Sequence, residues 1–222
     1  FYGNRKVAQT DGVNDAISLG EIGEHFGEDA LTISFFFKFT DEPAVSSLCF
    51  NIGDTEETGG WTFQISTKRL YFDGAPKWIG LDSMNFGDHG TVGYGHDFFY
   101  GLYRKASDIG AEHAQYNYNN WHDAGDFTNV FATDVGSPSK FSHLGAYHSV
   151  LLDTVITSEP MKFSNLAIWT RKLTDQECNV LATGLLDPDK VQTTSLQHYW
   201  SFNNTWDDAG TAAGRTDLNA VA

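Results

Sequence analysis

The hydrophobic positions of this chain fall in short runs, several of them alternating with polar residues, separated by segments rich in Gly, Asp, Asn and Thr. LTISFFFKFT (31–40) is rich in β-branched and aromatic residues, and SSLCFNIG (46–53) and WTFQIST (61–67) follow it after turn-rich breaks. Runs of this kind predict consecutive strands of a sheet. KRLYFDG (68–74) ends on Asp73-Gly74, a dipeptide that suits the centre of a hairpin turn. SKFSHLGAYH (139–148), the segment around Leu166 and LQHYWSF (196–202) add three more strands. Short strands alternating with turns predict two packed sheets, a sandwich or jelly roll.

One segment departs from this rhythm. In MKFSNLAIWTRKLTDQECNVLATG (161–184) the alternation of Phe163, Asn165, Ala167 and Trp169 against Leu166 and Ile168 suits a strand buried on one face and nearly so on the other. Thr174 followed by Glu177 is a capping box, and Leu173 stands where it can staple onto Cys178, the fourth helical residue. A short helix is therefore predicted, ending at Gly184. Cys178 and Cys49, in a core-like strand, read as buried thiols and not as a disulfide framework.

The strand N-L-A-I-W followed by R-K-L-T-x-x-E resembles the closing motif of laminin G-like and pentraxin-like domains of the concanavalin A-like lectin/glucanase superfamily. VAQTDGVNDAISLG (7–20) resembles the opening D-G-x-x-D-x-I strand and turn of that family, and HYWSFNNTWDDAGTAAGRTDLNAV (198–221) its Y-W-x-F strand and acidic loop. The resemblance implies an all-β, concanavalin A-like jelly-roll sandwich of two antiparallel sheets with one short helix, a single laminin G-like domain over residues 1–222. In many members the Y-W-x-F strand comes first; here it comes last, as in a circularly permuted chain. Domain termini commonly lie close together. The late strand is therefore expected to return beside Val7–Leu19 in the same molecule, with exchange between neighbours as the alternative.

Charge narrows the partners. The chain carries 14 Lys and Arg against 29 Asp and Glu, a formal charge of -15, which repels phosphate backbones and anionic lipid heads. Nucleic acid is not an expected partner. No apolar run approaches a membrane span, so membrane insertion is not expected either.

Residues 82–126 show little clean periodicity and are read as an irregular aromatic and Gly-rich insertion. Too many aromatics are present for disorder, so an ordered ligand or partner surface is expected. Tyr94, Tyr100, Tyr116 and Trp121 are the candidate stacking platforms, with Asn117, Asn119 and Asp123 as hydroxyl partners. For any one ring, packing in a satellite core is the alternative.

No strand carries the alternating E-x-D-x-E of glucanases, and H-E-x-x-H, G-x-S-x-G and a phosphate loop are missing. His113, Tyr116, Tyr118 and His122 are the remaining candidates for a lyase-like site. His89 and His96 match no compact zinc motif. Calcium is the expected cofactor, since members of the resembled family often hold it and hard cations take carboxylate oxygens from tight turns. Its candidate ligands are Asp11 and Asp15, with Asn14, in the opening turn and Asp207, Asp208 and Asp217 in the late loop; ordinary turn chemistry is the alternative. Asn203-Asn204-Thr205 is a glycosylation sequon.

These readings predict a non-catalytic recognition module at an extracellular, cell-surface or virion surface. Glycan is the expected ligand. The alternatives are a structural or assembly protein that packs against neighbouring subunits as a possible homo-oligomer, such as a virion decoration or fibre subunit, and a polysaccharide-degrading enzyme.

Overall fold

The computed structural model describes residues 7–20, 30–40, 46–52, 61–66, 69–74, 84–85, 99–106, 109–117, 120–127, 142–149, 154–157, 160–202 and 219–221. These form two seven-stranded antiparallel sheets, a two-stranded ribbon and one α-helix. In chain order the strands of the first sheet are β1 (Ala8–Thr10), β3 (Leu31–Phe39), β8 (Phe99–Ala106), β9 (Ile109–Asn117), β10 (Asn120–Phe127), β14 (Met161–Trp169) and β15 (Leu196–Trp200). The second sheet holds β2 (Ala16–Gly20), β4 (Ser46–Ile52), β5 (Trp61–Ser66), β6 (Arg69–Gly74), β7 (Met84–Asn85), β11 (Ser142–Leu144) and β16 (Asn219–Val221). The ribbon pairs β12 (Ala146–Ser149) with β13 (Thr154–Thr157).

β3 sits at the centre of the first sheet, between β14 and β8, and its position explains its composition. Ile33, Phe35, Phe37 and Phe39 line one face, while Thr32, Ser34 and Phe36 line the other, and every one is buried. A strand covered on both faces has no reason to alternate strictly, hence the near-continuous apolar run.

β14 is likewise buried on both faces, but its alternation does not run through. Phe163 pairs with Phe37, whereas Ala167 and Trp169 pair with Ser34 and Thr32 on the opposite face. The register shifts between Ser164 and Ala167, and Asn165 there adopts the left-handed conformation with φ 52°. One extra residue in the strand flips everything after it to the other face. The same point divides the outer side of β14: β1 pairs with Met161–Phe163 and β15 with Leu166–Trp169. Two distant pieces of chain thus occupy one strand position, end to end.

The helix α1 (Asp175–Ala182) forms as its sequence predicts. The Glu177 amide donates to Thr174 Oγ1 at 3.3 Å and the Thr174 amide to Glu177 Oε2 at 2.8 Å. At the other end Gly184 takes φ 68°, which lets its amide reach Leu181 O at 2.9 Å and the Leu185 amide reach Val180 O at 3.0 Å. This pair of bonds is a Schellman motif and satisfies two terminal carbonyls. Leu173, Cys178 and Leu181 pack with Phe36, Tyr100 and Trp169 on the outer face of the first sheet. Trp169 Nε1 donates to Val191 O at 2.9 Å, fixing the turn after the helix.

Two expectations are corrected. Residues 82–126 are not an irregular insertion throughout: β8, β9 and β10 form an antiparallel meander that widens the first sheet beyond β3, and β7 borders the second. Only two residues, Ser107-Asp108 and Tyr118-Asn119, separate successive strands, and neither pair is a favoured hairpin signal. Asp73-Gly74, conversely, lies inside the ladder, paired with Thr62 and Trp61, so β5 and β6 are joined at residues 67–68 instead. Of the late segments, β15 pairs with β14 and β16 with β2, both within the chain. It is β16 that returns beside the opening strands.

Candidate functional site

Directly paired residues of adjacent antiparallel strands share a face of the sheet. Across β3, β8, β9 and β10 the register aligns Phe36, Tyr100, Tyr116 and Trp121 in one row running from the sheet centre to its edge. The row beside it holds Ser34, Leu102, Ala114 and Asp123, and the next holds Thr32, Arg104, Glu112 and Asp126. A register shift between Asp123 and Asp126 marks a bulge in β10, a device that blunts the exposed edge of a sheet.

Of the expected binding residues, Tyr100, Tyr116, Trp121 and Asp123 therefore come together on one face, the face that α1 also packs against. Tyr100 needs a correction. It is 1% exposed and packs on Phe36 with ring centroids 4.9 Å apart, so its ring belongs to the core and offers no face to a ligand. Its role is to anchor the inner end of the row. Asn117 falls on the opposite face, one position along from Tyr116. Tyr94 and Asn119 lie outside the described residues.

The His and Tyr candidates for a lyase-like site are separated by the same register. Gln115 pairs with His122 and Tyr103 with His113, which puts both histidines on the face opposite Tyr116. Tyr118 lies outside the described residues. The Tyr116 position and the two histidine positions thus belong to opposite faces of the sheet.

Arg104, which belongs to no sequence motif, ties the meander to the helix. Its Nη1 donates to Leu173 O at 2.9 Å and approaches Cys178 Sγ at 3.8 Å, while Nη2 pairs with Asp175. The guanidinium thereby sits at the helix N-terminus, where a cation is unfavourable unless paired. Asp175 supplies that pairing. Burial, only partly offset by Arg104, pushes the Cys178 thiol up to about 12, so this cysteine is a core group and not a nucleophile.

In the opening turn Asp11 Oδ1 accepts from the amides of Val13, Asn14 and Asp15 at 2.8, 3.1 and 3.2 Å. Those bonds, the Val13 one foremost, hold its carboxyl below the usual range. Thr157 Oγ1 lies 3.4 and 3.1 Å from the carbonyls of Gly12 and Val13 and donates to them. This is the self-satisfied turn that Asp and Gly form without an ion. Among the described residues no three His, Cys, Asp or Glu side chains converge as a metal site. Asp207, Asp208 and Asp217 lie outside them.

No family model and no curated protein matches the chain. Solved structures do. The enzymatically active domain of bacteriophage CBA120 tailspike protein 2 superposes with a TM-score of 0.60 at 9% identity, over 90% of this chain and 30% of that one. The binding domain of botulinum neurotoxin DC gives 0.55 in complex with rat synaptotagmin II and 0.54 in complex with SialylT, at 12% identity, over 90% of this chain and 46% of the other. The fold is a jelly-roll sandwich of antiparallel sheets. A sialidase of Trypanosoma rangeli in complex with 2,3-difluorosialic acid matches at 0.53 and 11% identity, over 81% of this chain and 28% of its own. This jelly roll spans less than half the length of each of these proteins, and identities this low carry the fold alone.

Proposed function

We propose that the chain is a non-catalytic glycan-recognition module acting at an extracellular or particle surface. Its sugar platform is the outer end of the aromatic row, Tyr116 and Trp121, with Asp123 in the adjoining row as a hydroxyl acceptor. The observation that carries the reading is the register, which gathers these three positions from two strands onto one face. An aromatic ring meets the apolar face of a sugar over a large area, and a nearby carboxylate fixes orientation by accepting from hydroxyls. The neurotoxin binding domain held with SialylT and the sialidase held with a sialic acid analogue are consistent with a sugar ligand on this fold. The closing and opening motifs that resemble laminin G-like domains point the same way.

The test is a glycan panel followed by calorimetry on the best ligand. Tyr116→Ala and Trp121→Ala are expected to weaken binding at least tenfold each without altering the melting transition by more than a few degrees. Retention of full affinity in both variants would move the site elsewhere.

A second reading has an observation of its own. The tailspike domain gives a TM-score of 0.60, and the neurotoxin domain is also held with a protein, synaptotagmin II. On that reading the same face packs against a neighbouring subunit. A stable oligomer that ignores every sugar on the panel would favour it.

A further inference from the structure

On the side of the aromatic row away from Asp123, the register sets Lys162 of β14 directly opposite Lys38 of β3, and Gln9 of β1 opposite Lys162 from the other flank. Two ammonium groups and an amide thus stand in line on the same face as Tyr116 and Trp121. Both lysines are half-buried, so their stems lie along the sheet. Directly opposed residues hold their Cβ atoms about 4.5–5.5 Å apart, and like charges so placed destabilise a ladder.

The other cationic side chains among the described residues are provided for. Arg104 pairs with Asp175, Arg171 with Glu177 and Lys190 with Asp189, and Lys172 is likewise engaged. Among the described residues Lys38 and Lys162 make no hydrogen bond or ion pair. In a chain with 29 acidic side chains to 14 basic ones a carboxylate partner is easily had, yet the two cations without one are the two that face each other. One carboxylate or sulfate set between the two ammonium heads accepts from both and cancels their repulsion. The net charge of -15 does not prevent this. Asp123 stands three strands and two rows from Lys38, about 20 Å by strand spacing and rise, and physiological salt screens charge over about 8 Å. At contact the lysines dominate.

Resting on the glycan reading above, we infer that Lys38 and Lys162 form an anion subsite of the same face and that the ligand is an acidic glycan, one of whose charged groups bridges the two ammonium heads while a neighbouring ring lies on Tyr116 and Trp121. Tyr116 stands two strands and one row from Lys38, about 12 Å, a span covered by a short oligosaccharide. Gln9, exposed at the end of the row, is placed to serve the hydroxyls beside the charged group.

The experiment is calorimetry with uronate-containing, sialylated and sulfated oligosaccharides, each beside its carboxyl-reduced, desialylated or desulfated counterpart. It is run at low and high salt on wild type and on the Lys38→Gln/Lys162→Gln and Lys38→Arg/Lys162→Arg double variants. Wild type is expected to bind at least one acidic class tenfold or more tighter than its neutral counterpart at low salt, with the ratio falling as salt rises; the class that shows the ratio names the charged group. The Gln variant is expected to lose the ratio while keeping its affinity for neutral members, and the Arg variant to retain it. With the like-charge pair gone, the Gln variant should also melt at or above wild type, and a clear loss of melting temperature would contradict an uncompensated pair. Equal or weaker binding of every acidic member by wild type overturns the inference and leaves glycan recognition standing. A ratio that survives in the Gln variant overturns it too, by placing the anion elsewhere. Saturable binding to no member of either set overturns the inference and the glycan reading together.

Discussion

Asp11 accepts three successive amides through one oxygen, and its carboxyl is held below its ordinary 3.8 by them. Charged, it stabilises the folded turn; protonated, it loses those bonds. Its contribution is therefore present above the unfolded value and is lost as pH falls through the lower folded value. Asp11→Ala should melt below wild type at pH 7, and the gap should close at acid pH; a carbon-13 titration with a midpoint at or above 3.8 would contradict this account. Cys178 behaves in the opposite sense. Because burial raises its thiol from 9.0 to about 12, the folded state holds the proton. The native protein should ignore a thiol reagent at pH 8 at this position and react there only once unfolded. The stability tied to this proton is complete below pH 9 and declines as pH climbs toward 12.

Among the elements, α1 tests how local and tertiary terms compare. Thr174→Ala removes the cap bond from the Glu177 amide and the hydroxyl's own bond to Glu177 Oε2 and should cost about 1 kcal/mol, which for a chain of this size is roughly 2–4 °C of melting temperature. Leu173→Ala empties a fully buried position beneath Trp169 and should cost about 2–5 kcal/mol. Equal losses in thermal melts of the two variants would show that packing does not dominate here. The helix was legible in the sequence because each of its signals, Thr174, Glu177, Leu173 and Gly184, acts within a few residues. The jelly-roll class was legible from short strands for the same reason. The meander was not, since its order lies in pairings between strands: nothing near Tyr116 in sequence says that it stands between Tyr100 and Trp121. Tyr100 illustrates the cost of that gap. It reads as a loop aromatic until β8 is placed beside β3, where it becomes core. The face shared by Tyr116, Trp121 and Asp123 follows from register alone, and the role of Arg104 from its contacts with Leu173 and Asp175 about seventy residues away.

At the scale of the whole molecule, both late strands find their partners within the chain, β15 on β14 and β16 on β2. A monomeric mass by light scattering is the expected outcome, and a dimer that exchanges these strands would overturn it. Among the described residues no helix is long and apolar enough to cross a membrane. The division of β14 between β1 and β15 has a mechanical consequence. On one side β14 is welded to β3 along its length, but on the other it is gripped by two separate short segments that meet near Asn165. Among the described residues, tension on the N-terminal end of β1 falls on the three pairs from Ala8 to Thr10 and on the bond from the Met161 amide to Thr10 Oγ1, and reaches β15 through β14. In an optical trap the protein should therefore give a small early step as β1 peels away, then a single large rupture of the sandwich.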